Sequence, residues 1–441
     1  MDPTSLIPAF GGLAYTLVAF VVALSIIVAI HEYGHYIVGR WCGIHAETFS
    51  LGFGPVIYSR VDRRGTKWQL AALPFGGFVK FLGDSNAASV GADSDVKPAR
   101  NTMHGAPLWA RAATVAAGPV FNFILSILVF GAVIMFTGRA ADPLTVDSFV
   151  KMPAGVVQEL QEGDQILEVN GQPANTTELF NGLIEDLDVA RSIDYRVRRG
   201  GDTITVQGPF PNQAIVLGLS PRSAALSVQM KLGDVVTAID GAEIYAFDQM
   251  RDIVVASDGK PLLFDVWRDG EMMQFTLVPK RVDLPQEDGT FDTRWLVGIS
   301  SGLFFEPKTE FPGVWASLQS GVERTGFVIR SSMSGLYNVI TGAISSCNLS
   351  GPVGIAQTSA AMASQGAQSF IWFIAVLSTA VGLLNLFPIP VLDGGHLVFH
   401  AYEAVTGKPP SDKILNILMI TGLTLLLSLM VFALGNDLFC P

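Results

Sequence analysis

Charge is scarce in this chain of 441 residues: Asp, Glu, Lys and Arg make up 15% of it, against 49% hydrophobic residues. A soluble domain carries about a quarter charged residues, so the composition excludes an ordinary soluble enzyme and points to a polytopic membrane protein. Cationic charge is shorter still, 28 Lys and Arg against 39 Asp and Glu, for a net charge of −11. With no basic stripe outside residues 60–67, nothing could neutralise a run of phosphates, which excludes a nucleic-acid partner. Cysteine is almost absent. Cys42, Cys347 and Cys440 are too few for a disulfide scaffold and have no metal-ligand spacing.

The missing charges are also unevenly placed. Uncharged stretches long enough to cross about 30 Å of hydrocarbon occur near 10–30, 112–138, 369–392 and 414–435, so four spans are expected. The first lacks a basic flank and a small-residue cleavage site, and is expected to be retained rather than removed as a signal. Neither MDPTSLIPAFGG nor GNDLFCP contains Lys or Arg, whereas the connection from Arg40 to Arg111 holds nine. The positive-inside rule therefore places that connection in the cytoplasm and both termini outside. On this topology Cys347 and Cys440 share the oxidising side, and both a disulfide and free thiols remain open.

Between the second and third spans, EGDQILEVNG (162–171) recurs as LGDVVTAIDG (232–241), 70 residues on. Each copy reads as a strand between two tight turns, followed by the hairpin-like runs DYRVRRGGDTITVQG and LLFDVWRDGEMMQFTLVPKRV. These stretches resemble the core of PDZ domains, which bind extended C-terminal peptides by strand addition. A β-rich spacer is the alternative.

HEYGH (31–35) follows AYTLVAFVVALSIIVAI, seventeen residues without a charge. His31 and His35, i and i+4 on a helix, share one face and can reach one Zn²⁺, with Glu32 beside them to act on a water. Such a trio in a lipid-spanning helix is costly without a function. Two His leave zinc short of a protein ligand. Asp393 in NLFPIPVLDGGH is the candidate, being the first charge after the uncharged residues from Ser331 to Leu392.

HEYGH in a first span with NLFPIPVLDGGH in a later one resembles the paired signature of the site-2 protease family, intramembrane zinc metalloproteases. GPVFN (118–122) and the PDZ-like pair make the bacterial branch that regulates the sigma-E response the nearest likeness. The resemblance implies zinc on His31, His35 and Asp393, Glu32 as general base, and Asn385 binding the substrate backbone or the oxyanion. It also implies that 47–81 is a membrane-associated hairpin able to pair with an unwound substrate.

Geometry explains the placement of HEYGH. A span entering near residue 13 carries His31 roughly 27 Å inward, close to the cytoplasmic face of a core about 30 Å thick. Asp393 must reach the same depth, so the third span runs from outside to inside, and a fifth span at 331–356 would place it at the wrong face.

The expected fold is a polytopic α-helical membrane protein of four transmembrane helices, with a membrane-associated β-hairpin and two inserted periplasmic PDZ-like α/β domains. The first helix with HEYGH occupies 1–40, the cytoplasmic hairpin region 41–108 and the second helix 109–138. PDZ-like domains follow at 139–209 and 210–283, then a linker and interfacial amphipathic segment at 284–368. The third helix with NLFPIPVLDGGH spans 369–402, and the fourth with its tail 403–441. The expected function is regulated intramembrane proteolysis of single-span membrane proteins of the anti-sigma-factor type, or of remnant signal peptides, by zinc-activated water with Glu32 as base. A zinc transporter and a non-proteolytic PDZ adaptor are the rival classes; transport has no need of Glu32 beside the ligands. For His45, His104 and His400 no role is legible, and His396 reads either as support for the metal ligands or as a helix histidine.

Overall fold

The computed structural model describes residues 6–84, 97, 99–286 and 290–440. Segment 85–96, inside the expected cytoplasmic connection, lies outside the described residues. The chain divides into two compact units, Met1–Ala132 with Leu318–Cys440, and Val133–Ser317.

Helix α1, Leu6–Trp41, runs unbroken through HEYGH. No proline interrupts it beyond its first turn, and an apolar chain in lipid must satisfy its backbone internally, which a continuous helix does. A hairpin follows, β1 (Ala46–Val61) paired antiparallel with β2 (Lys67–Phe81). Its turn is made by Asp62, whose Oδ1 accepts from the backbone N–H of Arg64 at 2.8 Å and of Thr66 at 3.0 Å. Phe49, Val79 and Phe81 of the hairpin bury against Tyr36 of α1 and Ala110 of α2 (Leu108–Thr137), fixing the hairpin beside the end of α1.

In the unit Val133–Ser317, each sequence repeat builds the same device. The strands Gln165–Val169 and Val235–Ile239 start just after Asp164 and Asp234, both buried. Arg199 clasps Asp164 through two bonds of 2.7 Å, and Arg268 clasps Asp234 through two of 2.6 Å. Helix α3 (Thr177–Asp186) accompanies the first, four-stranded sheet; α4 (Ala224–Ser227) and α5 (Phe247–Ala256) accompany the second. Residues expected to be linker are built into this unit: Ile299–Leu303 pairs with Asn212–Leu219, and Phe305–Pro307 with Val146–Phe149.

Segment 284–368 is therefore more structured than the sequence suggested, and it also contains α6 (Val314–Thr341) and α7 (Pro352–Ser364). Along α6, Trp315, Val322 and Tyr337 are exposed beside charged Glu323 and Arg324, the pattern of an amphipathic helix. The expected third helix, 369–402, is two helices. α8 (Ala367–Asn385) ends before Pro388 and Pro390, which have no N–H to continue the ladder, and α9 begins at Asp393 and runs to Thr406. α10 (Asp412–Phe439) closes the unit. A disulfide joins Cys347 to Cys440, and Asp437 accepts from the backbone N–H of Gly351 and Gly354 at 3.0 and 2.9 Å, so the end of α10 is tied to the start of α7.

Among the described residues four helical stretches are long and apolar enough to cross a membrane: Ala14–Trp41, Leu108–Thr137, Ala367–Asn385 and Lys413–Phe439. α6 is not one of them, which agrees with four spans rather than five.

Candidate metal centre

α1 presents His31 and His35 on one face with their Nε2 atoms 3.2 Å apart. The tight loop between α8 and α9 delivers Asp393 to the same point. Gly394 packs so closely on the carbonyls of Leu386 and Phe387 that a Cβ there would collide with both, which explains the glycine directly after the aspartate. Asp393 Oδ2 lies 3.1 Å from His31 Nε2, and Oδ1 lies 3.5 Å from His35 Nε2.

The three side chains fit a metal ion. Ligand atoms around a tetrahedral ion with bonds of about 2.0 Å stand roughly 3.3 Å apart, and the observed separations are 3.1, 3.2 and 3.5 Å. Asp393 Oδ2 is buried and, for all its closeness to His31, receives no hydrogen bond among the described residues. A buried carboxylate oxygen left so costs several kcal/mol unless a cation completes it. His35 is oriented for ligation, because its Nδ1 lies 2.9 Å from the carbonyl oxygen of Thr114. A carbonyl only accepts, so Nδ1 carries a proton, and in the neutral ring Nε2 then keeps its lone pair.

Glu32 is not part of the cluster. It lines a cavity of about 680 Å³ together with the ligands, Asn385, and Phe78 and Val79 of β2. Asn385 Nδ2 donates back to the carbonyl of Val381 at 3.1 Å. His396, His400 and His104 line the same cavity outside the three-residue cluster, with His104 3.6 Å from Asp84. Farther along the wall, Arg111 of α2 grips Glu403 of α9 through bonds of 3.0 and 2.6 Å.

The contribution of α2 escaped the sequence reading. Thr114 supports His35, Asn122 touches His31, and Gly118 lies so close to both rings that a Cβ would strike His35 Nε2 and His31 Cε1. The available signal was GPVFN itself, which sets a glycine and a polar amide in a lipid-length span.

Comparison with known proteins gives the family. The model of peptidase family M50 matches residues 19–429. A protein of Agrobacterium fabrum named as a zinc metalloprotease is 35% identical over 98% of both chains. One of Brucella suis with the same kind of name is 33% identical over 96% of this chain and 95% of its own. The regulator of sigma E protease of Haemophilus influenzae is 31% identical over 96% of this chain and 98% of its own. The chain belongs to peptidase family M50, the site-2 proteases, and is a metalloprotease.

Proposed function

We propose that the protein is an intramembrane zinc endopeptidase that cuts single-span membrane proteins within or beside their membrane segment. The observation that carries this reading is the convergence of His31, His35 and Asp393, with Glu32 beside them, in one cavity walled in part by helices of membrane-spanning length. The metal is zinc, in keeping with the names of the relatives. His31, His35 and Asp393 would hold it. Bound there, zinc supplies Lewis acidity toward a peptide carbonyl and acidifies water.

The chain's own residues do the rest. Glu32 accepts a proton from the attacking water and returns it to the departing amide nitrogen. Asn385 stands at the cavity wall, where its amide can meet the substrate backbone or the oxyanion. An α-helical substrate hides its peptide bonds, so it must be extended before attack. The two-stranded sheet of β1 and β2 offers a strand edge for that purpose, and β2 itself lines the cavity.

The resemblance to the site-2 proteases implies an anti-sigma factor as the substrate class, and the Haemophilus relative's name, regulator of sigma E protease, is in keeping with that. The absence of basic residues from both ends supports termini and an inserted unit on the periplasmic side of the inner membrane, with the two repeat domains acting as PDZ-like modules. The test is cleavage in proteoliposomes of a single-span substrate with either a short or a bulky outer domain, with the cut located by mass spectrometry. A cut inside the apolar segment, faster for the short outer domain, is expected. A cut confined to soluble loops would refute the intramembrane reading.

A further inference from the structure

Asn122 of α2 is fully buried, and its Nδ2 lies 3.2 Å from His31 Nδ1. Its Oδ1 is also buried and has no hydrogen-bond partner among the described residues. Taken as it stands, this orientation is incompatible with His31 as a ligand. An amide nitrogen can only donate, so it would make Nδ1 the acceptor and put the imidazole proton on Nε2, the atom that faces His35 and Asp393. A protonated nitrogen has no lone pair to give a metal.

The two ends of an amide have nearly the same shape, and which end is oxygen is assigned from the bonds it makes. Half a turn about the Cβ–Cγ axis sets Oδ1 against His31, where it accepts from Nδ1–H and leaves Nε2 free. The unpaired end does not decide between the orientations; the need of Nε2 for a lone pair does. We infer that Asn122 is a positioning residue, whose amide oxygen accepts from Nδ1–H of His31 and holds that ring in the metal-binding tautomer. This rests on the zinc site proposed above.

The surroundings suit the role. The carbonyl of Asn122 accepts from Ser126 Oγ at 2.9 Å and from Ser378 Oγ of α8 at 3.0 Å, and a Cβ on Gly382 of α8 would stand 3.1 Å from the Asn122 Cβ. The residue is held between two helices and has little room to swing. With Thr114, it makes α2 the source of an acceptor for each histidine: a main-chain oxygen for His35 and a side-chain oxygen for His31.

The experiment measures zinc affinity of the purified full-length protein by chelator competition, for wild type, Asn122→Leu and Asn122→Asp, beside the thermal stability of each metal-free form. Leu keeps the bulk and removes the acceptor; Asp keeps an acceptor. The expected result is a loss of about 10–100-fold for Leu, with Asp within a few-fold of wild type whatever the two changes do to metal-free stability. Asn122→Ala, smaller than the native side chain, takes the place of Leu should that variant not fold. Wild-type affinity in the Leu or Ala variant, or an equal loss in Asp and Leu, would overturn the inference. A wild type whose zinc is not removed by His35→Ala would overturn the zinc site itself, and the inference with it.

Discussion

Glu403→Ala should destabilise the membrane unit and loosen the metal centre although Glu403 ligates nothing. The pair it forms with Arg111 is two-pronged, with bonds of 3.0 and 2.6 Å, and its side chains are only 13% and 17% exposed. Arg111 Nε is already buried without a partner among the described residues, so deleting the carboxylate leaves the guanidinium without the acceptor it has. Breaking one side of such a pair costs about 3–5 kcal/mol, and residual exposure favours the lower end. Replacing both members by apolar residues removes the stranded charge, so Arg111→Met with Glu403→Leu should recover most of the loss. The pair links α2, which supports both histidines, to α9, which begins at Asp393, so zinc affinity should fall with stability in the single variant and return in the double one. Equilibrium unfolding in detergent of wild type, Glu403→Ala and the double variant, with zinc affinity measured on each, is the assay. A single-variant loss under about 1 kcal/mol, the size seen for exposed pairs, would refute the reasoning.

Other consequences are quicker to check. Gly118→Ala should cost at least tenfold in zinc affinity, because its Cβ meets both histidine rings, whereas Gly182→Ala on the exposed face of α3 meets nothing and should leave zinc binding unchanged; chelator competition on the two reads this directly. Asp234→Ala strands Arg268 at a nearly closed site and should lower the stability of the inserted unit by about 3 kcal/mol, seen as faster limited proteolysis there with zinc still bound. Removing zinc with a chelator should abolish peptide cleavage, and stoichiometric zinc should restore it. Cleavage that persists in thoroughly metal-free protein would contradict the assignment.

What could be read from the sequence was what short spacing encodes. His31 and His35 share a face because a helix repeats every 3.6 residues, and the hairpins after each repeat follow from Gly-containing turns between alternating runs. The uncharged run ending at Asp393 pointed to the third member of the cluster, because charge at membrane depth is expensive. Interactions set by the tertiary fold were not legible. Strand Phe305–Pro307 pairs with Val146–Phe149 across most of the inserted unit, and no local periodicity announces such a return. The break between α8 and α9 was hidden because the apolar run continues through Leu386–Leu392 while the prolines end the helix within it. The pairing of Cys347 with Cys440 and the contacts of Thr114, Gly118 and Asn122 with the histidines likewise depend on how helices meet.

On the proposed reading Glu32 moves the proton for hydrolysis at a metal held by His31, His35 and Asp393. The most direct test of this compares purified wild type with Glu32→Gln on a single-span substrate with a short outer domain, with bound zinc recorded in both. Product is expected from wild type alone, with zinc retained at wild-type stoichiometry in the variant. Cleavage by Glu32→Gln at a rate near wild type would contradict it.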